Sequence, residues 1–223
     1  MKVMKKMVSL LLALTFLFCS STVAFAGEPG GANPFTVFGT DDRYKVNSSV
    51  DPYLSICKLL ITYDTGETEG GTGFLISPTR VATAAHCLDY QSKPDAEGNI
   101  AIDKKAKTIK VYFGVSGTSN SSFTYEYSVT VNCTSKNTIT APNWNRNHSY
   151  YDYGLIILPK AVNIDYCFTL YNCPDPSADG LSASIVWYEN NKLASKFHNY
   201  QLVRGDGKVY KENNYKFKTR IAG

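Results

Sequence analysis

The sequence predicts an all-β, antiparallel fold of the barrel type. Three observations carry this prediction. Short apolar runs alternate with polar residues, the period-two pattern of a strand with one buried face. Gly, Asn, Asp and Ser interrupt these runs roughly every ten residues, where strand connections fall. The 223 residues include 16 tyrosines, and tyrosine and threonine suit a pleated, half-buried surface. Barrels of about 200–250 residues commonly form one domain, so the length asks for no second one.

The net charge of +4 is small and scattered. It points to neither nucleic acid nor an anionic membrane surface as a partner. Residues 1–26 read as a secretory signal peptide. Lys2, Lys5 and Lys6 form its positive start, Val8 to Phe18 its apolar core, and Ala24-Phe25-Ala26 its cleavage pattern. Cys19 follows bulky Phe18, not the small residue that a lipid-modified cysteine wants, and is expected to leave with the signal. The product is expected to be secreted and extracellular. No later apolar run is long enough to span a bilayer, so no membrane anchor is expected. Residues 27–36 are Gly- and Pro-rich without a strand pattern and read as a short pro-segment or linker. Residues 37–223 are left as the folded domain.

Pro52 and Tyr53 are expected to open the first barrel strand, which runs to about Tyr63. Asp64 to Gly71 reads as a polar hairpin loop. Phe74-Leu75-Ile76 and Val81 to Ala84 form two short strands around the turn Ser77-Pro78-Thr79. Asp89 to Lys107 reads as an irregular, charged insertion. Thr108 to Gly114 alternates Ile109, Val111 and Phe113 with Lys110 and Tyr112. Ser116 to Ser122 reads as a loop. Phe123 to Cys133 is a strand with Tyr125, Tyr127, Val129 and Val131 in one register. Pro159 to Ala178 is a crossover. Strands are then expected over Leu181 to Tyr188, Lys192 to Val203 and Lys208 to Lys211, the last two around a turn at Gly205-Asp206-Gly207. The final strand places Tyr215, Phe217, Thr219 and Ile221 on one face and Lys216, Lys218 and Arg220 on the other.

Five cysteines follow the signal: Cys57, Cys87, Cys133, Cys167 and Cys173. Export permits disulfides, and Cys167 and Cys173 are near enough in sequence to close a small loop. The odd count leaves one over. Asn-x-Ser/Thr triplets at Asn47, Asn120, Asn132 and Asn147 matter only in a glycosylating pathway and read as loop composition. His86, His148 and His198 are scattered, with no tight cluster of ligating residues. No metal site and no cofactor are expected.

The chemistry gathers at Thr83-Ala84-Ala85-His86-Cys87, where small residues let the chain turn sharply beneath a histidine. A general base must be held rigidly, and the end of a packed strand holds it so. The second candidate is Asp152, 66 residues downstream, directly before the apolar strand Gly154-Leu155-Ile156-Ile157-Leu158. A buried aspartate needs a partner, and a histidine ring N–H is one. His148 reads as a surface residue, His198 as an ordinary strand residue, and Asp165 and Asp179 as loop residues.

Thr83 to Cys87 resembles the histidine motif of trypsin/chymotrypsin-like serine proteases. Gly71-Thr72-Gly73-Phe74-Leu75-Ile76, Val37 to Val46 and Tyr151 to Leu158 are most similar to secreted bacterial glutamyl endopeptidases. The resemblance implies two six-stranded antiparallel Greek-key barrels. It implies a secreted serine endopeptidase working by acyl transfer on protein or peptide substrates, with cleavage after acidic residues as the family-level specificity. His86 would be the general base and acid, and Asp152 would orient it. The freed N-terminal amine, at Thr36 or Val37, would help bind an acidic side chain, and Thr219 would approach that pocket. The family's bridge beside the histidine joins the following cysteine to the preceding strand. That strand carries Gly71, Thr72 and Gly73 here, so a bridge from Cys87 would use Cys57 or another partner. Trp187-Tyr188-Glu189 stands where the family commonly has Gly-Tyr-Pro.

The family's Gly-x-Ser-Gly nucleophile loop has no counterpart. Ser182, Ser184 and Ser195 lack glycine flanks, and the nucleophile is expected just after Gly223. The second barrel is therefore expected to be incomplete and the chain inactive alone, since losing the nucleophile costs about a millionfold in turnover. A monomer is expected. The alternative reading is a catalytically inactive, protease-like binding protein.

Overall fold

The computed structural model describes residues 43–91, 102–119, 122–146, 149–170, 180–188, 200–213 and 216–221. The expected signal peptide, linker and Val37 lie outside these residues. Among the described residues every regular element is a strand or a single 3₁₀ turn. The strands run in chain order as β1 Tyr44–Lys45, β2 Ile56–Tyr63, β3 Thr68–Ser77, β4 Arg80–Thr83, β5 Asp89–Gln91, β6 Ile102–Phe113 and β7 Ser116–Ser119. They continue as β8 Ser122–Thr124, β9 Tyr127–Asn132, β10 Thr138–Thr140, β11 Gly154–Ile157, β12 Ser182–Tyr188, β13 Leu202–Asn213 and β14 Lys216–Ile221.

Six of these make a nearly closed barrel, paired antiparallel in the order β9-β6-β2-β3-β4-β11. Period-two alternation sends one set inward: Cys57, Leu59, Ile61 and Tyr63 from β2, Ile109, Val111 and Phe113 from β6, and Val129 and Val131 from β9. Leu75, Val81 and Ile156 fill the rest, all buried. Each fully buried aliphatic or Phe side chain contributes about 1.5–3 kcal/mol by leaving water. Between β9 and β11 one residue closes the ring. Asn137 Nδ2 donates to Asn132 O at 2.9 Å, and Asn137 O accepts from Ile157 N–H at 2.8 Å.

The first half of β2 is buried on both faces because a second sheet packs against its outside. That sheet holds β12, β13, β14 and β1, with β13 paired to the other three. It is open among the described residues, so the first barrel is six-stranded as expected and the second is seen as one sheet. Tyr188 ties barrel and sheet together. Its N–H donates to Thr72 Oγ1 at 3.0 Å, and its hydroxyl donates to Ile56 O and accepts from Val115 N–H, both at 3.4 Å. The Lys58 ammonium, buried at this junction, lies 5.2 Å from the Tyr200 ring centroid and 6.0 Å from that of Tyr188.

Several sequence expectations are corrected. Pro52 and Tyr53 lead into a 3₁₀ turn, Tyr53–Ser55, and the strand starts at Ile56. β3 starts at Thr68, so it takes in Gly70 and Gly71 from the expected hairpin loop as well as Gly73. The reason is packing: a Cβ on Gly73 would meet Val81 Cγ1 at 2.6 Å, and one on Gly71 would meet Cys87 Sγ at 3.3 Å. Glycine inside a strand marks such a close approach. Of the expected charged insertion, residues 89–91 form β5 and 102–107 open β6, while 92–101 lie outside the described residues. Lys104, reading as a loop residue, lies between the rings of Tyr63 (4.7 Å) and Tyr90 (4.9 Å). It bonds Glu67 at 2.8 Å and Glu69 at 2.6 Å.

Ser116 to Ser122 is the β7–β8 hairpin, held down where Phe123 stacks on Tyr200 with ring centroids 4.4 Å apart. Tyr125 and Tyr127 are exposed, and only Val129 and Val131 of that expected register are buried. The Gly205-Asp206-Gly207 turn signature is overridden, since β13 runs through it. Asp206 accepts from Ser184 Oγ, from Arg204 Nε at 2.8 Å and from Tyr44 Oη at 2.8 Å, while both glycines pair with β12. Of the strand expected over Lys192 to Val203, residues 192–199 lie outside the described residues. Asn132 belongs to β9 and not to a loop.

Cys57, Cys87, Cys133 and Cys167 are free thiols. No bridge joins Cys87 to Cys57: the two sulfurs sit over different glycines of β3, Cys87 at Gly71 and Cys57 at Gly73. Those positions are about 7 Å apart along a strand. Cys173 lies outside the described residues.

Candidate active site

The site grows from one antiparallel rung. β4 ends and β11 begins at Thr83 opposite Gly154. Beyond it the two chains separate, and each makes a 3₁₀ turn, Ala85–Cys87 after β4 and Ser149–Tyr151 before β11. His86 and Asp152 therefore face each other at the same end of the barrel. Thr83 Oγ1 donates to Thr72 O at 3.0 Å and fixes the strand end. Cys87 N–H donates to Ala84 O at 3.2 Å, and Leu88 N–H to Ala85 O at 2.9 Å, closing the histidine turn. Tyr63 Oη donates to Cys87 O at 3.3 Å from below.

Gly154 lets the two arms approach. A Cβ there would lie 2.8 Å from Leu88 Cδ1 and 3.1 Å from Ile139 O. Sequence reasoning missed this residue. The available signal was a glycine opening an apolar strand run, where a close approach is the usual cause.

Both oxygens of Asp152 are used by one residue. Oδ2 accepts from His86 Nδ1 at 2.7 Å, and Oδ1 accepts from the His86 backbone N–H at 2.9 Å. A carboxylate that accepts only at Nδ1 sets the tautomer and leaves Nε2 for chemistry. The histidine side chain is 52% exposed and the aspartate 25%. Asp152 and the neighbouring Cys87 thiol both raise the His86 pKa against the opposing effect of burial. Burial alone would raise the Asp152 carboxyl, but its bonds from the His86 ring and backbone outweigh that and lower it. The pair thus shares its charge in the sense expected of an imidazolium facing a carboxylate.

Other named residues are not at this pair. Ser182 and Ser184 lie on β12, and Ser184 is bonded to Asp206. Thr219 lies on β14 opposite Val209 in the second sheet; its side chain is outside the described residues. Val37, His148, Asp179, Ser195 and His198 are also outside them, and Asp165 is an exposed loop residue. Among the described residues no group of three or more His, Cys, Asp or Glu side chains could hold a metal ion. No described helix is long and apolar enough to cross a membrane.

A six-stranded barrel packed on a second β-sheet, with a histidine–aspartate pair at the barrel's end, defines the trypsin/chymotrypsin-like class of protease fold. The chain belongs to the trypsin family, whose model matches residues 56–220. It is 31% identical over 166 residues to a protein of Bacillus subtilis named extracellular metalloprotease, covering 71% of this chain and 46% of that one. It is 27% identical over 160 residues to the glutamyl endopeptidase of Bacillus licheniformis, covering 71% and 44%. The chain therefore spans under half the length of these curated relatives. In fold it matches a solved Glu endopeptidase with a TM-score of 0.55 at 22% identity, over 84% of this chain and 80% of that one. It matches the protease Anisep of Arthrobacter nicotinovorans with a TM-score of 0.53 at 17% identity, over 76% and 68%.

Proposed function

We propose that this is a secreted, extracellular serine endopeptidase that hydrolyses peptide bonds by acyl transfer. The observation that carries the reading is the 2.7 Å bond from His86 Nδ1 to Asp152. In this mechanism His86 Nε2 takes the proton of an attacking serine and returns it to the leaving amine. Asp152 holds the tautomer and stabilises the imidazolium. The ring must be neutral to accept that proton, so activity rises with pH as the imidazolium deprotonates. Among the described residues no serine hydroxyl is hydrogen-bonded to His86, and the nucleophile is proposed to be a serine outside the described residues. Cleavage after acidic residues is proposed from the similarity to glutamyl endopeptidases, with Val37 and Thr219 as the candidate contacts.

The test is to express the product of the complete reading frame and treat it with a serine-directed fluorophosphonate. Labelling that is lost in His86→Ala, with parallel loss of hydrolysis of a peptide containing glutamate, is the expected result. A folded product that neither labels nor cleaves would sink the proposal and favour a binding role.

A further inference from the structure

The His86–Asp152 pair lies between two fixed points. One is the Thr83–Gly154 rung. The other is formed where β5, leaving the His86 turn, meets the 141–146 loop on its way to Asp152. There the amide of Gln91, only 7% exposed, bonds to the facing backbone at both ends. Its Nε2 donates to Trp144 O at 3.4 Å, and its Oε1 accepts from Arg146 N–H at 3.0 Å. Arg146 Nη1 donates back to Gln91 O at 2.7 Å, and Trp144 Nε1 donates to Asp89 O at 3.1 Å. The Arg146 guanidinium lies over the Tyr90 ring, 5.3 Å from its centroid.

A buried amide bonded at both ends has one orientation and one register. An apolar residue of the same size would give the same burial and fix neither. What the bracket fixes is the separation of the two segments that carry His86 and Asp152. His86 stands on a single 3₁₀ turn and Asp152 directly follows another, and such turns are too short to hold a geometry alone. A hydrogen bond at 2.7 Å does not survive a shift of about 1 Å, and such a shift costs an enzyme about a hundredfold.

We propose that Gln91, with Trp144 and Arg146, is a positioning device that holds His86 at bonding distance from Asp152. The proposal rests on reading these two residues as the catalytic pair. The test uses nitrogen-15-labelled protein and follows the His86 Nδ1 proton by NMR, reading its exchange with water. In the parent chain this proton is held by Asp152 and exchanges slowly. Gln91→Met keeps the volume and removes both bonds, and is expected to speed exchange by about tenfold or more, the scale set by loosening the charge-assisted His86–Asp152 bond. Trp144→Phe removes one bond and moves exchange the same way by less. Gln91→Glu keeps the acceptor for Arg146 N–H and falls between parent and Gln91→Met. Ile109→Val, a core change on β6, lowers global stability and leaves the exchange rate alone.

Parent-like exchange in both Gln91→Met and Trp144→Phe would reduce the bracket to packing and overturn the proposal. If Gln91→Met fails to fold, the exchange rate in Trp144→Phe decides between the two outcomes. Parent-like exchange in Asp152→Asn would instead remove the pair itself, and the functional reading with it.

Discussion

Gly71→Cys should create a disulfide with Cys87 that the natural sequence lacks. A Cβ at position 71 would lie 3.3 Å from Cys87 Sγ. In a disulfide each Cβ lies about 3 Å from the far sulfur, so a shift of a few tenths of an ångström suffices. The other neighbours of that Cβ are Ile61 Cδ1 at 3.4 Å and Leu59 Cβ at 3.6 Å, ordinary contacts. The bridge would close a loop of about 16 residues, worth about 3 kcal/mol if its effect is on the unfolded chain. For a domain of this size that raises Tm by about 6–12 °C. The assay is a thiol count in denaturant before and after mild oxidation, with thermal melts in the presence and absence of reductant. The oxidised variant should lose two thiols relative to its reduced form and melt higher. A variant that keeps every thiol free, or gains nothing from oxidation, would refute the placement of Cys87 over Gly71.

Asp152→Asn should lower the His86 pKa toward its ordinary 6.5, since the bond from Asp152 is the leading cause of its elevation; an NMR titration of the ring checks this. The pair should also tie stability to pH. The His86 contribution is complete below 6.5 and fades as pH rises through its raised folded value, while that of Asp152 is complete above 3.8 and fades as pH falls through its lowered one. The stability gap between parent and Asp152→Asn, from urea titrations, should therefore be widest between 3.8 and 6.5 and narrow on either side. Gly154→Ala should cost about 1–3 kcal/mol in urea unfolding, because its Cβ would overlap Leu88 Cδ1 at 2.8 Å. Leu59→Ala should cost about 2–5 kcal/mol by the same measurement, since Leu59 is fully buried in the barrel.

The fold class and the two residues of the pair were legible in the chain as written. Alternation at Ile109, Val111 and Phe113 depends only on the period of a strand, and the structure buries all three. The Thr83 to Cys87 segment and the Asp before an apolar strand are likewise local signals. Which loop signals would be overruled depended on contacts made across the fold. The Gly205-Asp206-Gly207 turn signature lost because Ser184, Arg204 and Tyr44 supply partners for Asp206, two of them from other strands. Charged Lys104 entered a strand because Glu67, Glu69 and two tyrosine rings receive it. Gln91 reads as an ordinary polar residue until Trp144 and Arg146, 53 and 55 residues away, arrive beside it. Side-chain periodicity and motifs are written along the chain. Partners for buried polar groups come from across it, and no local pattern records where they will be.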